Sequence, residues 1–464
     1  MMNKKLLAVA VAGALAAPVA AYAQTTVTIS GILKTGVDNV RYSGNAARTG
    51  NTSETRVTDN SSRVIFNVAE DLGNGLAAIG QIDMRYSPDI AANGYPTSPT
   101  NVGGTTFSAG GNTWVGLKSK SMGQVIVGRQ DLHYGLFENS DIVLKAGALM
   151  AAPVSLFDYI GKTAIAGGTR TNNVVMYDMP AYGGFTLRMA WSANPTGVET
   201  DLRNTAAAAG TNTTGGNSQR KGQAWNINPR YDGGTWGVRY SYWNQQSDGG
   251  STTPQLTAAG CSAAQTMNGS LPLGGLAGNA CLANATTPAD QQGHTLLGWM
   301  NFGGLRIGAG WNDSRLKAND FSNALFAPTS TVAVPVVVVG PGGVISRRTA
   351  WTISSGYIMG PHNFQFHYTK ANDDKIANLI NAANPTGTTN PNGAKMWALA
   401  YVYDLSKRTS VGLTYAQISN NTTGTYDFFT NGGGNSLGQF GSPGSSTLAG
   451  EKEQLFSAVL RHAF

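Results

Sequence analysis

The sequence predicts an all-β fold in which sixteen antiparallel strands close into a transmembrane barrel, and three observations lead to that prediction. Glycine supplies 60 of the 464 residues, and only 12% of the residues are charged, about half the usual share. Segments of about ten residues alternate apolar and polar side chains, as strands with two different faces do. Short turns and long polar loops separate these segments in regular alternation.

The composition argues against several other classes of protein. Low charge disfavours a charged disordered chain and a coiled coil rich in Glu and Lys. The glycines follow no three-residue period, so the chain is not collagen. The hydrophobic share of 41% is too low for a bundle of membrane helices. Beyond the amino-terminal run, the longest apolar stretch is Val332–Val339, which proline interrupts and to which we assign no role.

Residues 1–23 are predicted to be a secretory signal peptide. Two lysines precede the apolar run Leu6–Ala23, which ends in the small-residue pattern Ala21-Tyr22-Ala23. A membrane anchor is the alternative interpretation, although glycine and proline interrupt the run. The predicted barrel then occupies 24–464. Export argues against a nucleic-acid partner, and so does the modest net charge of +7.

The two cysteines, Cys261 and Cys281, lie in one polar loop. In an oxidising compartment we expect a disulfide between them. Neither cysteine has the companions of a metal site, and the five histidines are scattered without metal-ligand spacing. The sequence therefore predicts no metal and no cofactor.

Seven short turns alternate with eight long loops, which gives sixteen strands. The turns are Asp71–Gly75, Ser121–Gly123, Tyr182–Gly184, Asp232–Gly234, Gly303–Gly304, Gly360–His362 and Ser406–Arg408. Glycine supplies the positive φ that tight hairpins need. An even number of strands, with short connections at one end and long ones at the other, is typical of an outer-membrane barrel.

The alternation predicts which face of each strand meets lipid. In one segment Phe185, Leu187 and Met189 share a face, and Thr186 and Arg188 share the opposite one. An arginine facing lipid at mid-bilayer costs about 2–4 kcal/mol, so the strand charges are expected to line the lumen. The cations on polar faces are Lys34, Arg63, Arg85, Arg188, Arg230, Arg239, Arg306, Arg348 and Arg461, and Asp38 and Asp83 accompany them.

A soluble β-sandwich would alternate in the same way. Aromatic residues near segment ends and small residues on the polar faces favour the membrane barrel. Two segments do not fit the pattern: His294–Phe302 is apolar on both faces, and Val125–Val127 leaves the face of Arg129 undecided. The alternation of side chains along the strands places one aromatic residue, Trp243, on a polar face.

Several short sequence motifs are distributed along the chain after the predicted signal peptide. They are Val27–Leu33, Ser62–Val64 with Glu70–Leu76, Asn112–Leu117 with Val127–Gln130, Asn172–Tyr177, and Leu460–Phe464. In combination they resemble Gram-negative general porins of the beta-proteobacterial type. The resemblance implies a barrel in the outer membrane of a Gram-negative bacterium, through which ions and small hydrophilic solutes diffuse. It also implies a homotrimer, with outer-membrane lipid, lipopolysaccharide and the barrel-assembly machinery as partners.

The resemblance further implies a constriction formed by the third loop. In that family this loop, here Asp131–Thr171, folds into the barrel, and its acids face wall cations that select ions. The implied pore-lining set is Lys34, Arg63, Arg85, Arg129, Arg170, Arg188, Arg239, Asp83, Asp131, Glu138, Asp141 and Asp158. Gly111, Asn67 and Met176 stand where the family often has basic residues, so we expect weak selectivity that leans to anions.

The C-terminal strand has a face that ends in a terminal aromatic. Phe456, Leu460, His462 and Phe464 share this face, and the resemblance implies that they form the signal for membrane insertion. The alternative is simply a closing strand.

Two other functions are compatible with the sequence. A channel specific for one solute class would need an ordered aromatic track along the lumen. A surface adhesin or outer-membrane enzyme is the other, but the Gly434–Gly438 match to a hydrolase elbow lies in a glycine-rich loop rather than between a strand and a helix. We therefore expect no enzymatic activity.

Overall fold

The computed structural model describes residues 25–86, 88, 109–133, 151–157, 170–195, 223–246, 280–283, 290–317, 324–328, 337–339, 344–374, 391–428 and 447–464. The predicted signal peptide, 1–23, lies outside the described residues and stays a prediction. So does the predicted disulfide, because Cys261 is not described and only the backbone of Cys281 is.

The described chain is almost entirely β-structure. Its strands are β1 Thr26–Ser43, β2 Ser53–Asp59, β3 Arg63–Gly73, β4 Leu76–Arg85, β5 Thr113–Ser119, β6 Gly123–Gln130, β7 Thr171–Asp178, β8 Phe185–Ser192, β9 Ala224–Asp232, β10 Trp236–Gln245, β11 Ala280–Ala283, β12 Asp290–Phe302, β13 Leu305–Lys317, β14 Ala324–Pro328, β15 Val337–Val339, β16 Val344–Met359, β17 His362–Ala371, β18 Ala394–Asp404, β19 Thr409–Asn420 and β20 Lys452–Ala463. One short helix, α1, covers Val154–Phe157. No helix among the described residues is long and apolar enough to cross a bilayer.

The main sheet closes on itself as a barrel of sixteen antiparallel strands, as predicted. β2 pairs with Thr35–Arg41 of β1, and β3 pairs with Thr26–Ile32. The two together therefore make one interrupted barrel strand. Each later strand pairs with its neighbour in sequence, and β20 returns to β1 in antiparallel register from Ile32–Ala463 to Ser43–Lys452. The terminal residue Phe464 also exchanges backbone hydrogen bonds with Gly31 across this seam. Closure leaves the barrel without a free edge.

The seven predicted short turns are all present, at one end of the barrel. Asn74 and Gly75 both have positive φ in the turn between β3 and β4, as an Asn-Gly hairpin requires. At the turn between β5 and β6, Gly123 has a φ of 84°, and an added Cβ would lie 2.1 Å from the backbone oxygen of Asp178. These turns therefore require glycine, which accounts for part of the high glycine content of the chain.

Lipid-facing and lumen-facing side chains alternate as predicted. Val27 and Ile29 are each 58% exposed on the outer surface, whereas Lys34 and Asp38 are buried on the inner one. β12 follows the same rule despite its apolar faces: Leu296 and Met300 lie outside, and Leu297 and Trp299 lie inside and are buried. On this inner face Leu297 shares a cluster with Phe157 of the third loop, and the Arg306 guanidinium stacks over Trp299.

A small second sheet joins three loop strands in the order β11, β14, β15. It includes the last residues of the apolar stretch Val332–Val339, because Val337–Val339 pairs with β14. The last part of that stretch is therefore a strand that pairs one long loop with another.

Candidate pore-lining site

The third loop turns into the barrel directly after β6. His133 is fully buried there, with Nδ1 2.9 Å from the Ser241 hydroxyl of β10 and Nε2 3.3 Å from the Thr295 hydroxyl of β12. Burial lowers the pKa of His133 to about 3, so the imidazole is neutral at physiological pH. Its neighbour Leu132 is also buried and belongs to an inner cluster with Met176. The start of the loop is thus fixed to the lumen side of the wall.

The described middle of the loop, 151–157, is fixed to other strands. His367 of β17 donates a hydrogen bond from Nε2 to the backbone oxygen of Ala151 at 2.7 Å. Phe157 of α1 is fully buried and belongs to the same inner cluster as Leu297 of β12. A Cβ added at Gly310 of β13 would lie 2.9 Å from the Phe157 ring, so the ring uses the space that glycine leaves. These contacts confirm the inward-folded third loop.

The two ends of the loop meet at the wall. The backbone N–H of Arg170 donates to Asp131 Oδ1 at 2.7 Å, and Arg129 Nε donates to the backbone oxygen of Arg170 at 3.1 Å. Gly128 has a φ of 147°, and the register between β6 and β7 shifts just after it. This irregularity settles the position of Arg129, whose charge interacts with those of Asp131 and Arg85 inside the barrel.

Four cations lie on the inner faces of adjacent strands β20, β1, β3 and β4. Lys34 is the register partner of Arg461, and Arg63 is the register partner of Arg85. Like charges directly opposite each other are destabilising unless an anion accompanies them. Asp83 supplies one: its two oxygens accept hydrogen bonds from Arg85 at 2.9 Å each, and Oδ2 lies 4.0 Å from Arg63 Nη1. The structure thus brings Lys34, Arg63, Arg85 and Asp83 together on the inner wall.

Gly111 and Met176 explain two departures from the family pattern. An added Cβ at Gly111 would lie 2.0 Å from the Asp83 carboxyl carbon, so no basic side chain fits above that carboxylate. Met176 faces inward but is buried against Leu132 of the third loop and Trp243 of β10. At positions 111 and 176 the space is therefore taken by Asp83 and by the cluster that includes Leu132.

Arg188 and Arg239 line the lumen, but near the short turns rather than beside the third loop. Arg188 forms a two-point ion pair with Asp178, at 2.6 and 2.8 Å. Arg239 is the register partner of Arg230, and the Arg306 guanidinium stacks over an inward indole ring at 4.1 Å. These inward-facing arginines form a group of their own at the turn end of the barrel.

The loop acids and the C-terminal strand hold the other predicted residues. Glu138, Asp141 and Asp158 lie outside the described residues, so only Asp131 of the loop acids is placed. Phe456 and Leu460 are about half exposed on the lipid-facing surface, and His462 and Phe464 share it, which fits an outward signal face without testing its role. Among the described residues no group of three His, Cys, Asp or Glu side chains could hold a metal ion.

The prediction that Trp243 alone among aromatic residues faces the lumen is wrong. Tyr42, Trp114 and Trp299 also lie on inner faces, and Trp243 itself is completely buried near His133. Strand parity extended along β1 would have found Tyr42. Nothing in the local sequence shows how far these rings are buried.

Three comparisons place the chain among known proteins. It matches the Gram-negative porin family over residues 8–423. The major outer membrane protein P.IB of Neisseria meningitidis is 32% identical over 196 residues, which cover 42% of this chain and 50% of that protein. An outer membrane porin protein of Bordetella pertussis is 30% identical over 218 residues, 44% of this chain and 51% of that one. The chain thus spans about half the length of the curated relatives it matches.

Solved structures share the fold at lower sequence identity. The anion-selective porin from Comamonas acidovorans has a TM-score of 0.61 at 18% identity, covering 95% of this chain and 100% of that one. The in-vitro folded OmpT of Vibrio cholerae, in a trimer form, has a TM-score of 0.54 at 11% identity, with 95% and 99% covered. With the closed barrel, the inward third loop and the family match over most of its length, the chain belongs to the Gram-negative porin family and is an outer-membrane protein.

Proposed function

We propose that this protein is a general porin, a water-filled channel for passive diffusion of ions and small hydrophilic solutes. The observation that carries the proposal is the separation of charge across the wall. Lys34, Arg63, Arg85 and Asp83 lie on inner faces, while large apolar side chains such as Val27 and Ile29 cover the outer surface. Ionised groups inside a membrane-spanning barrel require a counter-charge or water, because burial in hydrocarbon would neutralise them, and Arg63 is 27% exposed on the inner side.

We further propose that the channel prefers anions weakly. The inner faces of β20, β1, β3 and β4 carry four cations, and two of them, Arg63 and Arg85, share the carboxylate of Asp83. Rings of basic side chains favour anions, and a carboxylate among them reduces the effect. The pairing of Arg63 and Arg85 with Asp83 therefore supports weak rather than strong selectivity.

The proposal includes a homotrimer and several partners. One solved relative by fold, OmpT of Vibrio cholerae, is described in a trimer form. The outward aromatic residues Phe456 and Phe464 on the last strand support recognition by the barrel-assembly machinery. Outer-membrane lipid and lipopolysaccharide are the expected surroundings, and 1–23 is the proposed signal peptide.

Porins are channels rather than enzymes, and we propose the same for this chain. A channel dedicated to one solute class would need aromatic rings open to the lumen. Trp243 is instead fully buried, Trp299 is 7% exposed, and Tyr42 is 9% exposed. These rings pack against loops and neighbouring strands, so they support general diffusion.

Reconstitution into a planar bilayer tests the proposal. We expect stepwise rises in conductance that arrive in threes, and a reversal potential in a salt gradient that indicates a small preference for anions. A protein that inserts but never conducts contradicts the channel function. Single rather than triple steps contradict the trimer alone.

A further inference from the structure

The outer surface of the barrel carries cations at the end with the long loops. On β17 the lipid-facing side chains run Phe364, Phe366, Tyr368 and then Lys370, at the end of the strand. On the neighbouring strand β18 they run Leu399, Trp397 and then Lys395. Each lysine therefore lies one same-face step, about 7 Å, beyond an aromatic ring.

The aromatic rings below these lysines mark the edge of the hydrocarbon. Tyr368 is the register partner of Trp397, and its ring lies 5.3 Å from that of Trp351 on β16. The Trp397 ring lies 5.2 Å from that of Tyr415 on β19. Rings of Tyr and Trp on the outside of a barrel form the girdle at the interface between acyl chains and headgroups. Lys370 and Lys395 thus lie at headgroup depth.

The two lysines are direct neighbours. Lys370 and Lys395 are register partners, so two like charges stand opposite each other, an arrangement that is destabilising without an anion. Within the described ranges neither lysine forms an ion pair. The nearby Asp373 accepts hydrogen bonds from the backbone of Gly393 and the side chain of Asn421, and Asp374 accepts one from the backbone of Arg347.

A second pair of neighbouring cations on the same surface shows how an anion stabilises two like charges. Arg315 of β13 and Arg347 of β16 are also register partners on the lipid-facing side. Both bind the carboxylate of Asp313, with contacts of 2.8 Å and 2.7 Å to Oδ2. At that pair the protein supplies the anion itself.

Among the described residues, the outward-facing cations at the loop end lie on β1, β13, β16, β17, β18 and β20. Arg41, Lys317 and Lys452 also lie on outer faces at the loop ends of β1, β13 and β20. In the described parts of β7 to β10, the outer faces at the same end carry uncharged residues such as Trp191 and Trp225. A generic need for charged, soluble strand ends would place lysines on both sides.

We propose that Lys370 and Lys395 form a binding site for a phosphate group of an anionic lipid in the extracellular leaflet, with Tyr368 and Trp397 against the part of the lipid nearer the acyl chains. The proposal rests on the outer-membrane channel described above and adds a lipid site to it. A phosphate between the two ammonium groups supplies the charge that Asp313 supplies to the arginine pair. Lipid phosphate suits the site better than soluble phosphate, because the aromatic rings adjoin it on the side of the membrane.

The test compares binding of lipid A to matched variants of the folded protein in detergent. The test variant is Lys370→Gln with Lys395→Gln. The control is Lys407→Gln with Arg408→Gln, which removes two charges from the short turn at the opposite end of β18. Diphosphoryl lipid A, the same lipid without phosphates, and inorganic phosphate are titrated against each protein.

We expect affinity for diphosphoryl lipid A to fall about 30-fold in the test variant, the factor expected for two lysines near an anionic surface, and to be unchanged in the control. Equal affinity in the test variant and the control overturns the proposal, as does equal affinity for the lipid without phosphates. Binding of inorganic phosphate as tightly as the lipid overturns the lipid assignment. Loss of the oligomer in the test variant with unchanged lipid binding indicates that a second copy covers the site, and also overturns it.

Conductance of the same samples separates this proposal from the channel function. Protein that binds lipid A but never conducts contradicts the channel and keeps the lipid site. Protein that conducts normally but does not distinguish the lipids contradicts the lipid site and keeps the channel.

Discussion

The Asp83→Asn substitution should make the channel more selective for anions. Asp83 is 2% exposed on the inner wall and is the carboxylate shared by Arg63 and Arg85. Asparagine has the same shape, so it fits above Gly111, where the space is too small for another side chain. The substitution removes one negative charge from the lumen and leaves the cations in place.

The size of the effect follows from Coulomb's law. An ion passing about 5 Å from the lost charge changes its interaction energy by about 0.8 kcal/mol in water. In 0.1 M salt, screening reduces this to about 0.5 kcal/mol. Because anions gain what cations lose, the anion-to-cation permeability ratio should rise about fivefold.

The assay is the reversal potential across a planar bilayer in a salt gradient. Glu70→Gln is the control, because that carboxylate lies on the outward face of β3 with Val68, outside the lumen. It should leave the reversal potential unchanged. If Asp83→Asn leaves the potential unchanged, or moves it toward cations, the assignment of Asp83 to the ion path is refuted.

Three further predictions concern the wall and the third loop. Arg63→Ala should move the reversal potential toward cations by a similar factor, and Arg170→Ala should do the same; no shift in either variant would remove that arginine from the ion path. Phe157→Ala should loosen the loop, because truncating a buried Phe costs about 3–5 kcal/mol, and the open-channel current should become noisier; a current as quiet as that of the parent protein would contradict the packing. The pKa of about 3 for His133 means that the unfolded imidazole takes up a proton below about pH 6.5 while the folded one does not. The free energy of unfolding should therefore fall from pH 6.5 to about 3, by up to about 1.4 kcal/mol per pH unit, and His133→Gln should reduce that slope in urea titrations at each pH. An identical slope in the variant would contradict the assignment.

The number of strands, the short turns and the lipid- or lumen-facing side of each strand could be predicted, because each depends on neighbouring residues in the sequence. The alternation that places Lys34 and Asp38 inside the barrel is visible in consecutive residues. An even number of strands with alternating short and long connections is typical of the closed barrel that is observed. The glycines of the turn end are likewise set by backbone geometry. Lumen charge could be predicted from parity alone.

The packing of the third loop could not be predicted in this way. Leu297 is an apolar residue on the inner face of β12 because it shares a cluster with Phe157, which lies more than a hundred residues earlier in the chain. Arg129 changes its position through an irregularity at Gly128 that periodicity does not reveal. Contacts between distant segments, such as His133 with Thr295, need the folded barrel to bring them together.

Liposome swelling with a graded series of sugars tests the central claim, that the lumen is an open water path of limited width. Vesicles containing the protein should swell rapidly in small sugars and progressively more slowly as the sugar grows, because the third loop occupies part of the lumen. The series needs no ion selectivity and no assumption about which residues the solute contacts. Vesicles that hold correctly folded protein but do not swell even in the smallest sugar would contradict the account.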